Sequence, residues 1–334
     1  MRDRSPHFHP PPTWKIHETT LMSVGRRLHR GRIAVTISYG EGSMRKKHEQ
    51  DANTETLGTM SEVTNTQTQH DMATNVSTNV IASGIVDRLR WRAYVDRTVM
   101  GAAAVAYVEG LVEAILANQP GIRIIFSAAP SQDELLAGLA ASTIIDWTRV
   151  TAFHMDEYIG IEPTAPQGFG QFLRTRLFAN VPLAAVHYLD VTTRDPVAEC
   201  QRYGTLLAEA PIDLCCSGIG ENGHLAFNDP PVADFADPAA VKVVTLDDVC
   251  RQQQVHDGCF RALSEVPTHA MTLTIPTLMA AKYQVCVVPA ATKRDAVRKV
   301  LSEPEMTTEV PATALRGHGA ATLFLDALSY GRFL

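Results

Sequence analysis

What the sequence lacks excludes several classes of protein. None of its six cysteines forms a Cys-x-x-Cys pair, which argues against zinc-ribbon and thioredoxin-like proteins. No serine lies in a Gly-x-Ser-x-Gly elbow, so a serine hydrolase of that type is not expected. No metal-ligand spacing appears, and we predict no bound metal. No apolar run reaches the length of a membrane span, and no h-region marks a secretory signal, so we expect neither a membrane partner nor a secreted protein.

The net charge and the sequence surroundings of the cysteines limit the expected cellular location and binding partners. The net charge of −6 gives no reason to expect nucleic acid as a partner. The hydrophobic share of 45% over 334 residues is enough for a large core. Cys215, Cys216 and Cys286 lie inside apolar runs, where a free thiol behaves as a small hydrophobic side chain. These features favour a reducing, cytoplasmic location.

The first part of the chain differs in composition from the rest. The first fifty residues carry ten Lys or Arg against four Asp or Glu, and residues 51–82 are rich in Thr, Asn, Gln and Ser. Such a stretch cannot bury enough apolar surface to offset the entropy of ordering. We therefore predict a disordered extension over residues 1–85 and a single folded domain over residues 86–334. A basic arm that contacts nucleic acid is the less favoured interpretation of the extension.

Strand and helix patterns alternate through the folded part. Apolar β-branched runs predict strands, and apolar residues at helical spacing predict helices. The predicted strands are 122–126, 149–155, 186–190, a buried strand opening at Ile212, 241–246, 271–275, 283–288 and 322–326. The predicted helices are 98–117, 131–141 (with Ser131 as N-cap and Glu134 completing a capping box), 171–178, 196–208, 247–256, 276–282 and 293–301 (with Thr292 as N-cap). The alternation predicts a doubly wound, Rossmann-like α/β fold with a largely parallel sheet flanked by helices.

Polar groups follow several of these strands. The strand at Ile212 breaks into Gly-x-Gly-x-x-Gly-His, and His224 precedes Asp229 by five residues. No helical pattern follows at once, which argues against a dinucleotide-binding loop. The adjacent acids Asp156 and Glu157 follow another strand and are candidates for acid–base work, although a helix cap or surface turn is the plainer interpretation. Ligands bind at the carboxyl ends of strands in open α/β sheets, so we expect these groups to form one site.

An anion site is predicted at the same edge. Ser127 lies in the turn between a strand and a helix, where backbone N–H groups are free to bind phosphate. Lys293 lies in the first turn of another helix, where a cation opposes the helix dipole. It is therefore either simply solvated or serves an anionic ligand. Together with Ser127 it could hold a phosphate group.

Three segments resemble the glucosamine-6-phosphate deaminase/isomerase family, within a wider group that includes 6-phosphogluconolactonase. They are Phe-His-Met-Asp-Glu-Tyr at 153–158, the Gly-x-Gly-x-x-Gly-His-Leu-Ala-Phe-Asn stretch at 218–230, and 289–297 around the lysine. The resemblance covers roughly residues 95–330. The forms Met-Asp-Glu-Tyr and Gly-His-x-Ala-Phe-Asn are similar to deaminases, whereas lactonases of the group usually carry Asp-Glu-Arg and Gly-His-Thr-Ala-Ser.

The resemblance implies a role for each matching residue. Asp156 would move a proton from C2 to C1 of an open-chain sugar, and His224 would open the pyranose ring. Asp229 stands where the family usually has Glu, as the partner of that histidine, and Asn222 stands where members have Asp or Asn. Lys293 matches a phosphate-binding lysine. We assign the remaining substrate contacts to Ser127, Glu157, Gly218 and Gly220.

The chain also departs from the family pattern. Ala128-Ala129 replaces a Gly-Gly pair in the phosphate loop, and the added methyl groups narrow the approach of a phosphate. An arginine that helps to hold phosphate has no clear match, the nearest basic residues being Arg251 and His256. We expect deamination of an amino-sugar 6-phosphate without a cofactor. Lactone hydrolysis and a non-catalytic sugar-phosphate-binding module stay open, as does a homo-oligomer.

Overall fold

Strands and helices alternate along the chain in a computed structural model, which describes residues 79–331. The strands are β1 (Val80–Val86), β2 (Leu89–Tyr94), β3 (Ile122–Phe126), β4 (Val150–His154), β5 (Asp156–Tyr158), β6 (Ala185–His187), β7 (Leu214–Ser217), β8 (Val241–Thr245), β9 (His269–Leu273), β10 (Tyr283–Val288) and β11 (Ala321–Asp326). The helices are α1 (Arg97–Leu116), α2 (Asp133–Ala140), α3 (Phe169–Leu173, continued by a π-helical turn, Arg174–Phe178), α4 (Pro196–Ala208), α5 (Asp248–His256), α6 (Ile275–Met279), α7 (Arg294–Ser302) and α8 (Ala327–Tyr330).

The main sheet has eight strands in the order β1-β2-β11-β10-β7-β3-β4-β6. Every neighbouring pair is parallel except β1 with β2. Alternate side chains of one strand enter different cores: Val285 and Val287 of β10 lie in one hydrophobic cluster, and Cys286 and Val288 lie in the other. Since successive side chains of a strand point to opposite faces, both faces of the sheet are covered. The predicted α/β fold with a largely parallel sheet is confirmed.

A second, antiparallel sheet of three strands, in the order β5-β9-β8, lies beyond the main one. The sequence pattern predicted one strand over 149–155, but β4 ends at His154 and the chain enters β5 at Asp156. Asp156 pairs with Thr272 of β9. The acidic pair predicted just after a strand therefore lies in a strand of its own, because its backbone is hydrogen-bonded to β9. The predicted strand 271–275 likewise begins earlier, at His269.

The amino-terminal boundary needs a correction. Residues 80–85 were assigned to the disordered extension, but they belong to β1, which pairs with β2 across a turn at Asp87 (φ 51°). An edge strand is fixed by backbone hydrogen bonds and needs few large apolar residues. Composition alone therefore missed it. Residues 1–78, the rest of the predicted extension, lie outside the described residues.

Two predicted helix starts are also wrong. Ser131 and Thr292 do not cap helices; each lies in a short 3-10 turn that precedes α2 or α7, and neither helix has a side-chain N-cap. Glu134, the second residue of the predicted capping box, is drawn away by Arg97, whose Nε lies 2.5 Å from its Oε1. A tertiary ion pair has therefore replaced the local capping interaction.

Helix α1 is long and apolar. Its 20 residues have a mean hydropathy of 1.7, so by length and composition it could cross a membrane, contrary to the expectation that no run would. Met100, Ala104, Val108 and Val112 recur at helical spacing and are buried in the core beside the main sheet. The packing of this stripe accounts for its apolar character.

Candidate active site

The predicted site residues follow four neighbouring strands of the main sheet. Ser127 follows β3, Asp156 follows β4, the glycine-rich loop of residues 218–224 follows β7, and Lys293 follows β10. These strands are adjacent and parallel in the order β10-β7-β3-β4, so their carboxyl ends meet at one edge. The topology therefore gathers residues that are more than 160 positions apart in the sequence onto one edge.

The glycine-rich loop packs closely around the imidazole ring of His224. The backbone N–H of Gly220 donates to the carbonyl oxygen of His224 at 3.0 Å, and Gly223 turns the chain at φ +90°. A Cβ at Gly220 would lie only 2.1–2.3 Å from three atoms of the imidazole ring. The ring therefore packs directly on the Gly220 backbone, at a distance that no side chain there would allow.

His224 is paired with Asp229. Its Nδ1 lies 2.8 Å from Oδ1 of Asp229, an ion-pair distance without the alignment of a hydrogen bond. Asn222 braces the pair, because its Nδ2 donates to the same Oδ1 at 2.8 Å while its own Oδ1 accepts the backbone N–H of His224 at 3.0 Å. Burial alone would raise the pKa of Asp229, but the charge of His224 and the hydrogen bond from Asn222 outweigh it and lower that pKa.

Asp156 has the opposite electrostatic setting. Its side chain is buried, and it accepts no hydrogen bond from any residue of the described chain. Burial raises the pKa of Asp156 well above its usual range, and the charges of Glu157 and Asp229 raise it further. Two nearby carboxyl groups whose pKa values are pushed in opposite directions are typical of an acid–base site.

Glu157 has a structural role. Its carboxylate accepts the backbone N–H groups of Tyr158 at 2.9 Å, Phe169 at 3.1 Å and Gly170 at 2.8 Å. It therefore caps the start of α3, since the N–H groups of Phe169 and Gly170 are first-turn donors that a helix leaves unpaired. Neighbouring residues of a strand face opposite ways, so Glu157 points away from the side of β5 that carries Asp156. Its predicted contact with substrate does not fit, because its oxygens are already engaged.

Lys293 is a buried residue whose ammonium has no counter-ion within residues 79–331. Its side chain is only 4% exposed, and no ion pair or hydrogen bond joins its ammonium group to another residue of the described segment. Burial lowers the pKa of Lys293, while Asp257, Glu221 and Cys250 act in the opposite direction. Since burial disfavours the charged form of Lys293, an anionic ligand beside its ammonium would offset part of that cost.

The turn after β3 faces a small cavity. Ser127 donates its backbone N–H to the carbonyl of Cys216 at 2.9 Å, which ties the turn to β7. Beyond it, Ala128 and Ala129 line a cavity of about 240 Å³ together with Phe169 and Phe172. The cavity is large enough for part of a sugar. Gly218 packs closely against Gln132, since a Cβ at Gly218 would lie 2.8 Å from Nε2 of Gln132.

The two basic residues nearest to the missing arginine are otherwise engaged. Arg251 pairs with Asp248 at 2.9 Å and donates to the carbonyl oxygens of Leu263 and Val266. His256 is exposed, and its Nδ1 lies 3.3 Å from a carboxylate oxygen of Glu221. Neither side chain is free to replace the arginine, so Lys293 remains the candidate cation.

The sequence analysis did not predict that α5 contributes side chains to the candidate site. Cys250, Gln253 and Gln254 of this helix are buried, and Oε1 of Gln253 accepts the backbone N–H of Glu221 at 2.7 Å. Consecutive glutamines look like a solvated helix face, so no local pattern marked them. The burial of two of them under the glycine-rich loop is a tertiary effect.

The chain is similar to known proteins over most of its described residues. The model of the family described as glucosamine-6-phosphate isomerases/6-phosphogluconolactonase matches residues 95–324. A glucosamine-6-phosphate deaminase of Exiguobacterium sp. is 37% identical over 188 residues, which cover 56% of this chain and 72% of the relative. One from Lactobacillus delbrueckii subsp. bulgaricus is 35% identical, with 58% of this chain and 80% of the relative covered.

Solved structures show the same fold. A monomeric glucosamine-6-phosphate deaminase superposes with a TM-score of 0.66 at 23% identity, over 73% of this chain and 99% of that one. A 6-phosphogluconolactonase from Thermotoga maritima superposes with a TM-score of 0.59 at 18% identity, over 71% and 99%. At these identities the likeness concerns the fold alone.

Proposed function

This chain belongs to the family of glucosamine-6-phosphate isomerases and 6-phosphogluconolactonases, and on that premise we propose that it is an enzyme that converts glucosamine 6-phosphate into fructose 6-phosphate and ammonia. The observation that carries the proposal is that two buried carboxyl groups have pKa values shifted in opposite directions: the pKa of Asp156 is raised, and the pKa of Asp229, which is paired with His224, is lowered. The relatives at 35–37% identity are named deaminases, which supports this activity over lactone hydrolysis.

Ring opening is the first step of the proposed reaction. His224 takes the proton of the C1 hydroxyl and delivers one to the ring oxygen, so that the pyranose opens to an aldehyde. Asp229 holds the imidazole from the Nδ1 side at 2.8 Å and leaves the other ring nitrogen for the sugar. Asn222 keeps the carboxylate in place through its hydrogen bond.

Proton transfer between carbons follows. The C1 carbonyl acidifies the C2 proton, and Asp156 removes it and returns a proton to C1. C1 becomes a primary alcohol and the C2 amine becomes an imine, which water hydrolyses to the ketone with release of ammonia. The raised pKa of Asp156 makes it a stronger base than an ordinary carboxylate, and its oxygens are free of competing hydrogen bonds in the described chain.

Lys293 and the turn at Ser127 hold the phosphate in this scheme. Lys293 has no counter-ion among the described residues, and in the turn the N–H groups of Ser127 and Gln132 already donate to backbone carbonyls, so the phosphate would rely on Lys293, the Ser127 hydroxyl and the other N–H groups of the turn. No cofactor is needed, because the carbonyl acidifies the migrating proton. We place the enzyme in the cytoplasm, with a sugar phosphate as its small-molecule partner.

A substrate panel tests the proposal. Release of ammonia from glucosamine 6-phosphate, with formation of fructose 6-phosphate, is the expected result. Glucosamine and 6-phosphogluconolactone serve as controls for the phosphate and for the lactonase activity. Hydrolysis of the lactone without ammonia release, or saturable sugar-phosphate binding without any product, would contradict the proposal.

A further inference from the structure

A helix that the proposed chemistry does not use brings a cysteine to the His224–Asp229 pair. One ligand atom each from His224, Asp229 and Cys250 lies within 4.8 Å of the other two, and all three residues are buried. His224 and Asp229 belong to the loop after β7, whereas Cys250 lies in the first turn of α5. The three are too far apart in the sequence for a metal motif to be visible.

The polar atoms of this cluster are only partly satisfied within the described chain: Nδ1 of His224 lies 2.8 Å from Oδ1 of Asp229, and the Cys250 thiol is in hydrogen-bonding range of the Asp229 carboxylate. Nδ1 of His224 and Oδ2 of Asp229 are buried without a hydrogen-bond partner in the described chain. Buried polar atoms of this kind are rare and call for an explanation, such as an ion. Burial and the neighbouring carboxylates of Asp229, Asp247 and Asp156 raise the pKa of Cys250, so the thiol is protonated in the empty site and loses its proton only when a cation supplies compensating charge. The cluster therefore combines open ligand atoms with a negative surrounding.

We propose that His224, Asp229 and Cys250 form a site for a thiophilic divalent cation such as Zn²⁺. An imidazole nitrogen, a carboxylate oxygen and a thiolate sulfur are all ligands that zinc takes. Tetrahedral zinc with bonds of about 2.0–2.3 Å holds its ligands roughly 3.5 Å apart, which the 4.8 Å cluster reaches with small side-chain shifts. The Cys250 thiol releases its proton to solvent on binding, and water completes the coordination.

Occupation of this site blocks the active site. A bound cation takes the imidazole and the carboxylate that ring opening requires, so Zn²⁺ should inhibit turnover and a chelator should restore it. This consequence rests on the proposed function. Binding itself does not, because it depends only on the three ligands.

Binding is tested first with metal alone, without any substrate. Co²⁺ is titrated into the full chain, followed by the thiolate-to-metal charge-transfer band, and Zn²⁺ is then added in competition. Wild type should give the band, and Cys250→Ala should lose it. Loss of an outer-shell partner already costs about 10–100-fold in metal affinity, so loss of this ligand should cost at least as much. Cys250→Ser preserves the size of the side chain if alanine impairs folding, and should lose the band as well.

Cys259 provides the matched control. It is the partly exposed cysteine, and it lies outside the cluster. Cys259→Ala should retain the band and the Zn²⁺ affinity of wild type. A band that persists in both Cys250 variants, or that disappears in Cys259→Ala, overturns the proposed site.

Inhibition is tested separately, with each protein compared to its own metal-free rate. Zn²⁺ should inhibit wild type at the concentration that fills the site, and at least about tenfold more should be needed for Cys250→Ala. If wild type binds Co²⁺ through Cys250 but has no deaminase activity to inhibit, the proposed function fails and the metal site stands. If the deaminase is active but no metal binds through Cys250, the metal site fails alone.

Discussion

Gly220→Ala tests whether catalysis depends on the packing of the His224 ring against the Gly220 backbone. The new Cβ would lie 2.1 Å from Cε1 of the imidazole, whereas ordinary contact begins near 3.4 Å. The ring must therefore move by more than about 1 Å, which changes the geometry of its 2.8 Å contact with Asp229. A misplacement of about 1 Å can cost about 100-fold in rate, so we expect kcat/KM for glucosamine 6-phosphate to fall by about that factor. The assay is ammonia release under initial-rate conditions.

Stability should change less than activity, because the His224 side chain keeps some solvent exposure and can adopt another rotamer. A loss of about 1 kcal/mol would lower Tm by about 2–4 °C in a domain of this size. Gly204→Ala is the control: it adds the same methyl group in α4, where the nearest atom is Cβ of Ala240 at 3.3 Å, and it should keep full activity. If kcat/KM of Gly220→Ala stayed within twofold of wild type, catalysis would not depend on how the His224 ring packs on Gly220.

Three further perturbations have directions fixed by the structure. Burial lowers the pKa of His154 from 6.5 to about 3, so the unfolded chain takes up a proton first and stability is lost as pH falls below 6.5. At pH 5 the loss in unfolding free energy should be about 2 kcal/mol by denaturant unfolding. His154→Gln can still accept the N–H of Leu189 and should lose that pH dependence; a slope that persists in the variant would refute the assignment to His154. Glu157→Gln should lower unfolding free energy by about 1–3 kcal/mol while keeping measurable turnover, and an unchanged Tm would contradict its capping role. Lys293→Met should raise KM for the phosphorylated sugar by about 10–100-fold with a smaller effect on kcat, and an unchanged KM would remove Lys293 from phosphate binding.

Local patterns predicted the buried strands well. β3 and β10 match their predicted bounds, because continuous apolar β-branched runs bounded by turns are compatible with little else. Strands fixed mainly by pairing were not predictable. β1 carries Ser83 and Gly84 and is held by its hydrogen bonds to β2, and β5 consists of three residues paired with β9, which lies more than 110 positions away.

The site divides in the same way. The position of Asp156, His224 and Lys293 at one edge of the sheet could be predicted, since each follows a recognisable strand and the parallel topology brings these strand ends together. The role of Glu157 could not, because only the fold places the start of α3 against its carboxylate. The presence of Cys250 beside Asp229 depends on how α5 packs over the loop, which no spacing in the sequence encodes.

The central claim, that Asp156 moves a proton between two carbons of an amino sugar, is tested by following the reaction in D₂O. Wild type should convert glucosamine 6-phosphate to fructose 6-phosphate with solvent deuterium at C1, and ammonia should appear in equal amount. In Asp156→Asn the amide cannot take the proton, so the rate of label incorporation should fall by about 100- to 10,000-fold while the protein remains folded. Near-normal formation of C1-labelled ketose by Asp156→Asn would contradict the account.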